Sequence, residues 1–295
     1  MATIVAVLFT WMVGGLSGLS MSTQSTIWTM LWGGLGFFSI GFADDLIELS
    51  PFLRLVVQGA IACLVWTQNI RIESIALPGV EAISLGWLSL PITVVWLVGV
   101  VNAVNWIDGL DGLAAGIGGI ATAIIVVVCL QTGQIGAGLI GMGLLGSLAG
   151  FLVFNFNPAQ IFMGDGGSYF VGFLLAAISI NSSAADSQTT MILLPLLILA
   201  VPIMDMAFVI LARVHQGKSP FIADDQHLHH RLLKAGLTHR FTVLAIYTLT
   251  CWIGSLALVY IDVPGSIWIV GSSTGTLTLM SCRVWLVAQR QTVSS

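Results

Sequence analysis

The side chains able to do chemistry in this sequence fall in four short stretches. The densest is VNAVNWIDGLDGLAAG, residues 101–116, which puts two amides, Asn102 and Asn105, and two carboxylates, Asp108 and Asp111, within ten residues. If helical, Asn102, Asn105 and Asp108 recur every three residues and share roughly one face. The result is a line of oxygen ligands of the kind taken by hard cations such as Mg2+. Asp111 continues the series unless Gly109 breaks the helix. A polar interhelix turn is the plainer reading, but four such side chains exceed what a turn requires.

The second stretch is FADDLIELSPFLR. The adjacent carboxylates of Asp44 and Asp45 repel each other, so at least one needs a cation, a metal or a proton nearby. They read as a catalytic base or a phosphate–metal site, or else as a solvated pair at a helix end. Arg54 either meets phosphate or anchors the membrane interface. The third stretch is NFNPAQIFMGDGGS, where Asp165 sits between two glycines. A helix starting there would offer free N–H groups to an anion, and the carboxylate at its mouth would hold a bridging metal. Asp165 and Ser168 are equally good N-caps.

The fourth is the loop ARVHQGKSPFIADDQHLHHRLLKAGLTHR. It clusters His227, His229 and His230 with Asp224, Asp225 and Arg231. Zinc is a poor fit without a Cys partner or HExxH spacing. A diphosphate fits better, because His, Arg and Lys together neutralise phosphate; a basic loop touching anionic lipid heads is the bland alternative. His215 and His239 stand apart and are expected to do no chemistry. Asp205, in PIMDM, lies inside an apolar run, where acids are costly. It either faces the same cavity or pairs with a neighbouring helix.

The elements that position these groups must be membrane helices. Hydrophobic residues make up 57% of the chain and charged ones 7%, with mean hydropathy +1.01, far from the soluble range. Net charge is −4, with no basic stripe to suggest nucleic acid. Cys63, Cys129, Cys251 and Cys282 are scattered through apolar segments without metal or redox spacing. Apolar runs long enough to span a bilayer, roughly 17–25 residues, predict an all-α polytopic fold of about ten helices, at 3–20, 27–43, 53–70, 87–104, 113–131, 134–154, 167–182, 189–212, 241–261 and 265–288. Every polar stretch follows an even-numbered span, so all fall on one side. Of the nine Lys and Arg residues only Arg71 falls opposite, which makes the polar side cytoplasmic. Residues 71–86 alternate around Pro78-Gly79 and predict a small outer hairpin.

The segments ADDLIELSP, NAVNWIDGLDGLAAG, NFNPAQIFMGDGGSYFVGF, PIMDM and SPFIADDQHLHHRL, in this order, resemble the polyprenyl-phosphate N-acetylhexosamine-1-phosphate transferase family, from about Gly33 to Lys234. The H-x-H-H form of the last looks like the branch that transfers GlcNAc-1-phosphate, rather than its phospho-MurNAc-pentapeptide sister. The resemblance implies one integral membrane transferase domain over residues 1–295 of a bacterial cytoplasmic membrane, with its active site facing the cytoplasm and a homodimer compatible with it. The implied reaction moves sugar-1-phosphate from a UDP-N-acetylhexosamine to undecaprenyl phosphate. It releases UMP, uses Mg2+ or alternatively Mn2+, and begins a cell-envelope glycan.

By motif, the resemblance implies a metal at Asp165 and Asn105. Asp44 deprotonates or orients the lipid phosphate, with Asp45 beside it. Asn102, Asp108 and Asp111 fall at the nucleotide and active-site pocket. His227 and Arg231 handle the donor, and His229 and His230 serve the chemistry. One departure stands out: family members usually carry a further N-terminal span and a loop with a Pro and a Gly pair. This chain reads as starting after that loop, and Gly14-Gly15 lies inside the first span. Two other classes remain. A cation transporter would need acids through the membrane depth, where only Asp205 lies within a span. An intramembrane metal hydrolase would use the His cluster.

Overall fold

A computed structural model of the chain describes residues 3, 18–77, 80–182, 184–186, 189–219 and 226–294. The expected span at 3–20 therefore lies almost wholly outside the described residues, as do Asp224 and Asp225. Helix α1, Met21–Ile47, starts on Ser20, whose hydroxyl oxygen accepts the Thr23 N–H at 3.2 Å. It stops where Glu48 turns left-handed at φ 48°. Ser50 then caps α2, Pro51–Thr67, by accepting the Leu53 N–H. Pro51 sits at the first helical position, where a missing N–H costs nothing. This short reversal brings Arg54 back beside Asp44.

Beyond α2 the chain forms β1, Ser74–Leu77, and β2, Val80–Ser84, an antiparallel hairpin as the alternation predicts. A turn of 3-10 helix at Gly86–Leu88 leads into α3, Ser89–Ile107. Then come α4, Leu113–Thr132, α5, Ile135–Asn155, and α6, Gly164–Ser182. Two short strands follow, β3, Ala184–Asp186, and β4, Thr189–Met191. They extend the hairpin into a four-stranded sheet of order β2-β1-β4-β3, in which β1 and β4 run parallel. The architecture is all-helical as expected, with this small sheet added at one end. Helices α2 and α6 end on the same side, and the β-branched Thr189-Thr190 supply a strand that the hydropathy window merged with the following span.

The remaining helices are α7, Leu193–Ile198, α8, Ala200–His215, α9, Leu228–Lys234, α10, His239–Tyr260, and α11, Ser266–Ser294. The run 189–212, expected to be one span, is a strand and two helices. Pro202 has no N–H for the Ile198 carbonyl, and its ring crowds that carbonyl. The helix breaks at Leu199, with φ −101° and ψ 16°.

Among the described residues, five helical segments are long and apolar enough to cross a membrane: Met21–Ile47, Gly86–Ile107, Leu113–Thr132, Ile135–Asn155 and His239–Tyr260. The protein is a multi-pass membrane protein. At its centre α6 is buried on nearly every side, as expected of a helix that is apolar all round. The Phe173 ring stacks on Phe37 of α1 at 4.9 Å, and Trp96 of α3 donates to the Ala176 carbonyl at 3.2 Å. Gly41 of α1 faces the start of α6 so closely that a Cβ there would collide with the Asp165 carbonyl. Helices α1, α3 and α5 end, and α2, α4, α6 and α10 begin, at one end of the bundle. The four polar stretches meet there, and the sheet sits at the other end.

Candidate active site

The first wall of the site is built from α1, α2 and α6. Asp44 accepts the Leu49 N–H at 2.7 Å through Oδ1 and the Arg54 guanidinium through Oδ2. Arg54 Nη1 also lies 3.6 Å from Asp165 Oδ2 and donates to the Tyr169 hydroxyl at 3.5 Å. One guanidinium thus ties the two acidic motifs together. The neighbouring Asp45 has a different task. Its two oxygens accept the N–H groups of Asp165 at 2.8 Å and Gly166 at 3.0 Å. The first turn of α6 is therefore capped from another helix. Its leading N–H groups are taken by a carboxylate, which corrects the expectation that they wait for an anion.

The second wall is the DGLDG turn. Helix α3 ends at Ile107, with Asp108 as its C-cap, so the break comes one residue before Gly109. Asn105, on the last turn, donates through Nδ2 to Asp165 Oδ1 at 2.8 Å and to the Ser168 hydroxyl at 3.0 Å. These two motifs are thus in direct contact. Asp108 lies in the cleft, and desolvation together with the Asp165 charge pushes its carboxyl up to about 6. Asp111 is held below the usual carboxylate range by the Ala159 N–H and the Asn157 amide, which both donate to its Oδ2, and by nearby His239. Asn102 is turned away from this cleft. Its amide donates to Gln58 of α2 at 2.8 Å and to the Val98 carbonyl, so it joins helices instead of lining the pocket. A helical period cannot show on which side of the face a neighbouring helix will sit.

Between the walls lies a cleft of about 280 Å³ whose lining includes Asn105, Asp108, Asp111, Asn155, Phe162 and Asp165. Asn155 staples its floor. Oδ1 accepts the Gly112 N–H at 3.0 Å, and Nδ2 donates to the Ile161 carbonyl at 2.9 Å. Tyr247 of α10 donates to the Gly112 carbonyl.

The histidine loop forms the third side. His229 is buried against Gly109, where a Cβ would meet its Nε2 at 2.5 Å, and neither ring nitrogen has a hydrogen-bond partner among the described residues. Burial, with the charges of His230 and His227, pushes its pKa down to about 4. This histidine is neutral at pH 7 and adds no positive charge, unlike the expectation for the loop as a whole. His227 and His229 stack with centroids 5.6 Å apart, and His230 tilts against His229 at 4.3 Å. Arg231 lies over the Phe208 ring at 4.9 Å on the exposed side of α9. Among the described residues no three His, Cys, Asp or Glu side chains form a group that could hold a metal ion.

His239 does not stand apart from the site. Its Nδ1 lies 2.9 Å from the Asn157 amide nitrogen that also donates to Asp111, and Arg240 Nε donates to the Asn157 carbonyl at 3.1 Å. It belongs to the site's supporting network, together with Asn155, Asn157 and Tyr247. The asparagines and His239 fall inside polar stretches that the sequence marks out, whereas Tyr247 lies in an apolar run and carries no local signal.

The family model described as glycosyl transferase family 4 matches residues 27–183, the segment that supplies two of these walls. This chain belongs to that family. It is 35% identical over 242 residues to a protein of Bacillus subtilis (strain 168) named "Probable undecaprenyl-phosphate N-acetylglucosaminyl 1-phosphate transferase", covering 81% of this chain and 67% of that one. A Haemophilus influenzae protein, "Undecaprenyl-phosphate alpha-N-acetylglucosaminyl 1-phosphate transferase", is 37% identical over 232 residues, 75% of this chain and 65% of its own. A "Phospho-N-acetylmuramoyl-pentapeptide-transferase" of Halalkalibacterium halodurans is 30% identical over 264 residues, 84% and 79% of the two chains. This family member spans about two thirds of the length of the first two relatives.

Proposed function

We propose that this protein transfers an N-acetylhexosamine-1-phosphate, GlcNAc-1-phosphate first among them, from a UDP-sugar to undecaprenyl phosphate. The observation that carries the reading is the contact of Asn105 with Asp165 beneath the Arg54–Asp44 pair, at the mouth of a cleft in a family 4 chain. In the reaction an oxygen of the lipid phosphate attacks the sugar-bearing phosphorus of the donor. The bridging P–O bond breaks, and its electron pair leaves with UMP. The products are undecaprenyl-diphospho-sugar and UMP.

The charge balance of the cleft supports a divalent cation. Asp108, Asp111 and Asp165 line the cleft, Asp44 and Asp45 adjoin Asp165, and Arg54 is the one cation paired with these acids by salt bridge among the described residues. Three phosphates cannot enter such a site without further positive charge. The oxygens of Asp165, Asn105 and Asp108 suit Mg2+, which keeps several waters and takes few protein ligands. When bound, the ion would offset phosphate charge and stabilise the departing UMP. The chain's own groups position: Asp45 sets the start of α6, Asn105 orients the Asp165 carboxylate, and Arg54 holds Asp44 where it can orient the acceptor phosphate.

Placing this end of the bundle in the cytoplasm is part of the proposal. It is supported by Arg54, Arg213, Lys218, Arg231, Lys234 and Arg240 flanking the cleft end, with Arg71 by the sheet. The transporter reading loses its one intramembrane acid, because Asp205 is committed to His227. Purified protein, undecaprenyl phosphate and a panel of UDP-GlcNAc, its epimers and UDP-MurNAc-pentapeptide should release UMP with Mg2+, most from UDP-GlcNAc. Release only from the pentapeptide donor would move the chain to the sister activity, and release from none would overturn the reading.

A further inference from the structure

Asp205 is the buried acid that the proposed mechanism leaves without a task. It sits on α8, and 22 residues later in sequence His227 approaches it, Nδ1 to Oδ2 at 2.7 Å, with both side chains out of water. Its other oxygen accepts the Leu228 N–H at 2.7 Å. Leu228 opens α9, and His227, the residue before it, provides no side-chain cap of its own. The carboxylate therefore does two things at once: it seats the first turn of α9, and it lies within hydrogen-bond distance of His227 Nδ1.

The His227 ring is fixed on two further sides. The Trp106 indole meets it edge-on at 5.9 Å, and His229 stacks on it. Trp106 is the residue after Asn105, and the Arg213 guanidinium lies 5.0 Å from its ring centroid. The ring is thus locked to the end of α3 that carries Asn105. Its Nε2 makes no hydrogen bond among the described residues. A carboxylate at one imidazole nitrogen fixes the tautomer and orients the ring.

We propose that Asp205 is a positioning residue for the transfer reaction, acting by fixing His227 as the Nδ1–H tautomer with Nε2 left for the substrate. The proposal rests on the transferase reading for its kinetic part, while the tautomer itself is observable without turnover.

The test uses the full chain in detergent, with 15N-labelled histidine assigned by comparison with His227→Gln. At pH 8 the wild-type His227 should show the proton on Nδ1. Asp205→Asn keeps an oxygen for the Leu228 N–H, but its amide donates to Nδ1 and drives the proton to Nε2. That variant should keep an unchanged elution profile and lose about 100-fold in kcat, with KM for UDP-GlcNAc within threefold. Asp205→Glu, which restores a carboxylate, should recover at least a tenth of wild-type kcat. A wild-type His227 protonated on Nε2 overturns the proposal, whether or not Asp205→Asn folds. So does Asp205→Asn retaining more than half of kcat with its tautomer flipped. If wild-type protein releases UMP and either of these results appears, only this proposal fails; if it releases none, the transferase reading fails instead.

Discussion

Asp45 caps the helix that carries Asp165. Its carboxylate oxygens accept the Asp165 and Gly166 N–H groups at 2.8 and 3.0 Å, so the second acid of the Asp44-Asp45 pair sets where the third motif begins. The two acids part company by direction. Asp44 turns to Arg54, and Asp45 turns to the N-terminus of α6, where a negative charge also meets the positive end of the helix dipole. Asp45→Ala should therefore act on structure as well as turnover. The expected loss is about 1–2 kcal/mol of stability, the range for a deleted cap, together with most of the UMP release. Asp45→Asn, which keeps an acceptor oxygen, should fall between. Thermal unfolding in detergent beside initial UMP release checks this; a variant with wild-type stability and no activity would make Asp45 a chemical group instead of a cap.

Gly41 makes that capping contact reachable. A methyl group at this position would overlap the Asp165 carbonyl and the Gly166 nitrogen, which are backbone atoms and cannot rotate away. Gly41→Ala should destabilise by about 1–3 kcal/mol through overpacking and lower kcat by moving Asp165 relative to Asn105. Gly59, within α2, has open space around its Cβ position. Gly59→Ala should be neutral or stabilising by about 0.5–1 kcal/mol, as for a helix-interior glycine. Parallel melting curves decide the pair, and equal effects at both sites would show that α1 and α6 do not meet this closely.

Much of this arrangement is legible in the sequence, for a physical reason. Apolar runs must become helices in lipid, and the alternation of spans forces Asp44, Asn105, Asp165 and His227 to one end. What hydropathy cannot see is which partner a polar group chooses. Asp44 and Asp45 are chemically identical and adjacent, yet only the approach of α6 makes one a cap. His239 opens its helix beside Arg240, and nothing in that local sequence points to Asn157, which is 82 residues away. The break at Leu199 is missed because a hydropathy window scores Pro202 by polarity and ignores its absent N–H.

His229 predicts a dependence of stability on pH. Its pKa in the folded protein is about 4, against an ordinary 6.5. Between those values the unfolded chain holds a proton that the folded chain does not, so stability is complete above about pH 6.5 and is lost as pH falls toward 4. At pH 5 the expected loss is about 2 kcal/mol. Asp205, His227, His230 and His239 face the same ring electrostatically, so the variant that isolates the effect is His229→Leu, which keeps the burial and removes the titration. Unfolding midpoints at pH 7.5 and 5.0 should differ less in the variant than in the wild type. An equal difference in both would place the acid sensitivity elsewhere.

Removal of the metal side is the last expectation. Asn105 offers one amide nitrogen to Asp165 and Ser168, which leaves its carbonyl oxygen and the remaining Asp165 valences for a cation. EDTA should abolish UMP release, and excess Mg2+ should restore it. Asp165→Ala should be inactive at any Mg2+ concentration. Asn105→Ala should differ in kind: with Asp165 present but no longer oriented, the Mg2+ concentration for half-maximal rate should rise about 10–100-fold, and high Mg2+ should recover part of the rate. Titrations of Mg2+ against initial rate for the three proteins separate these outcomes. An Asn105→Ala protein with an unchanged Mg2+ requirement would assign the amide to holding Ser168 and the start of α6 alone.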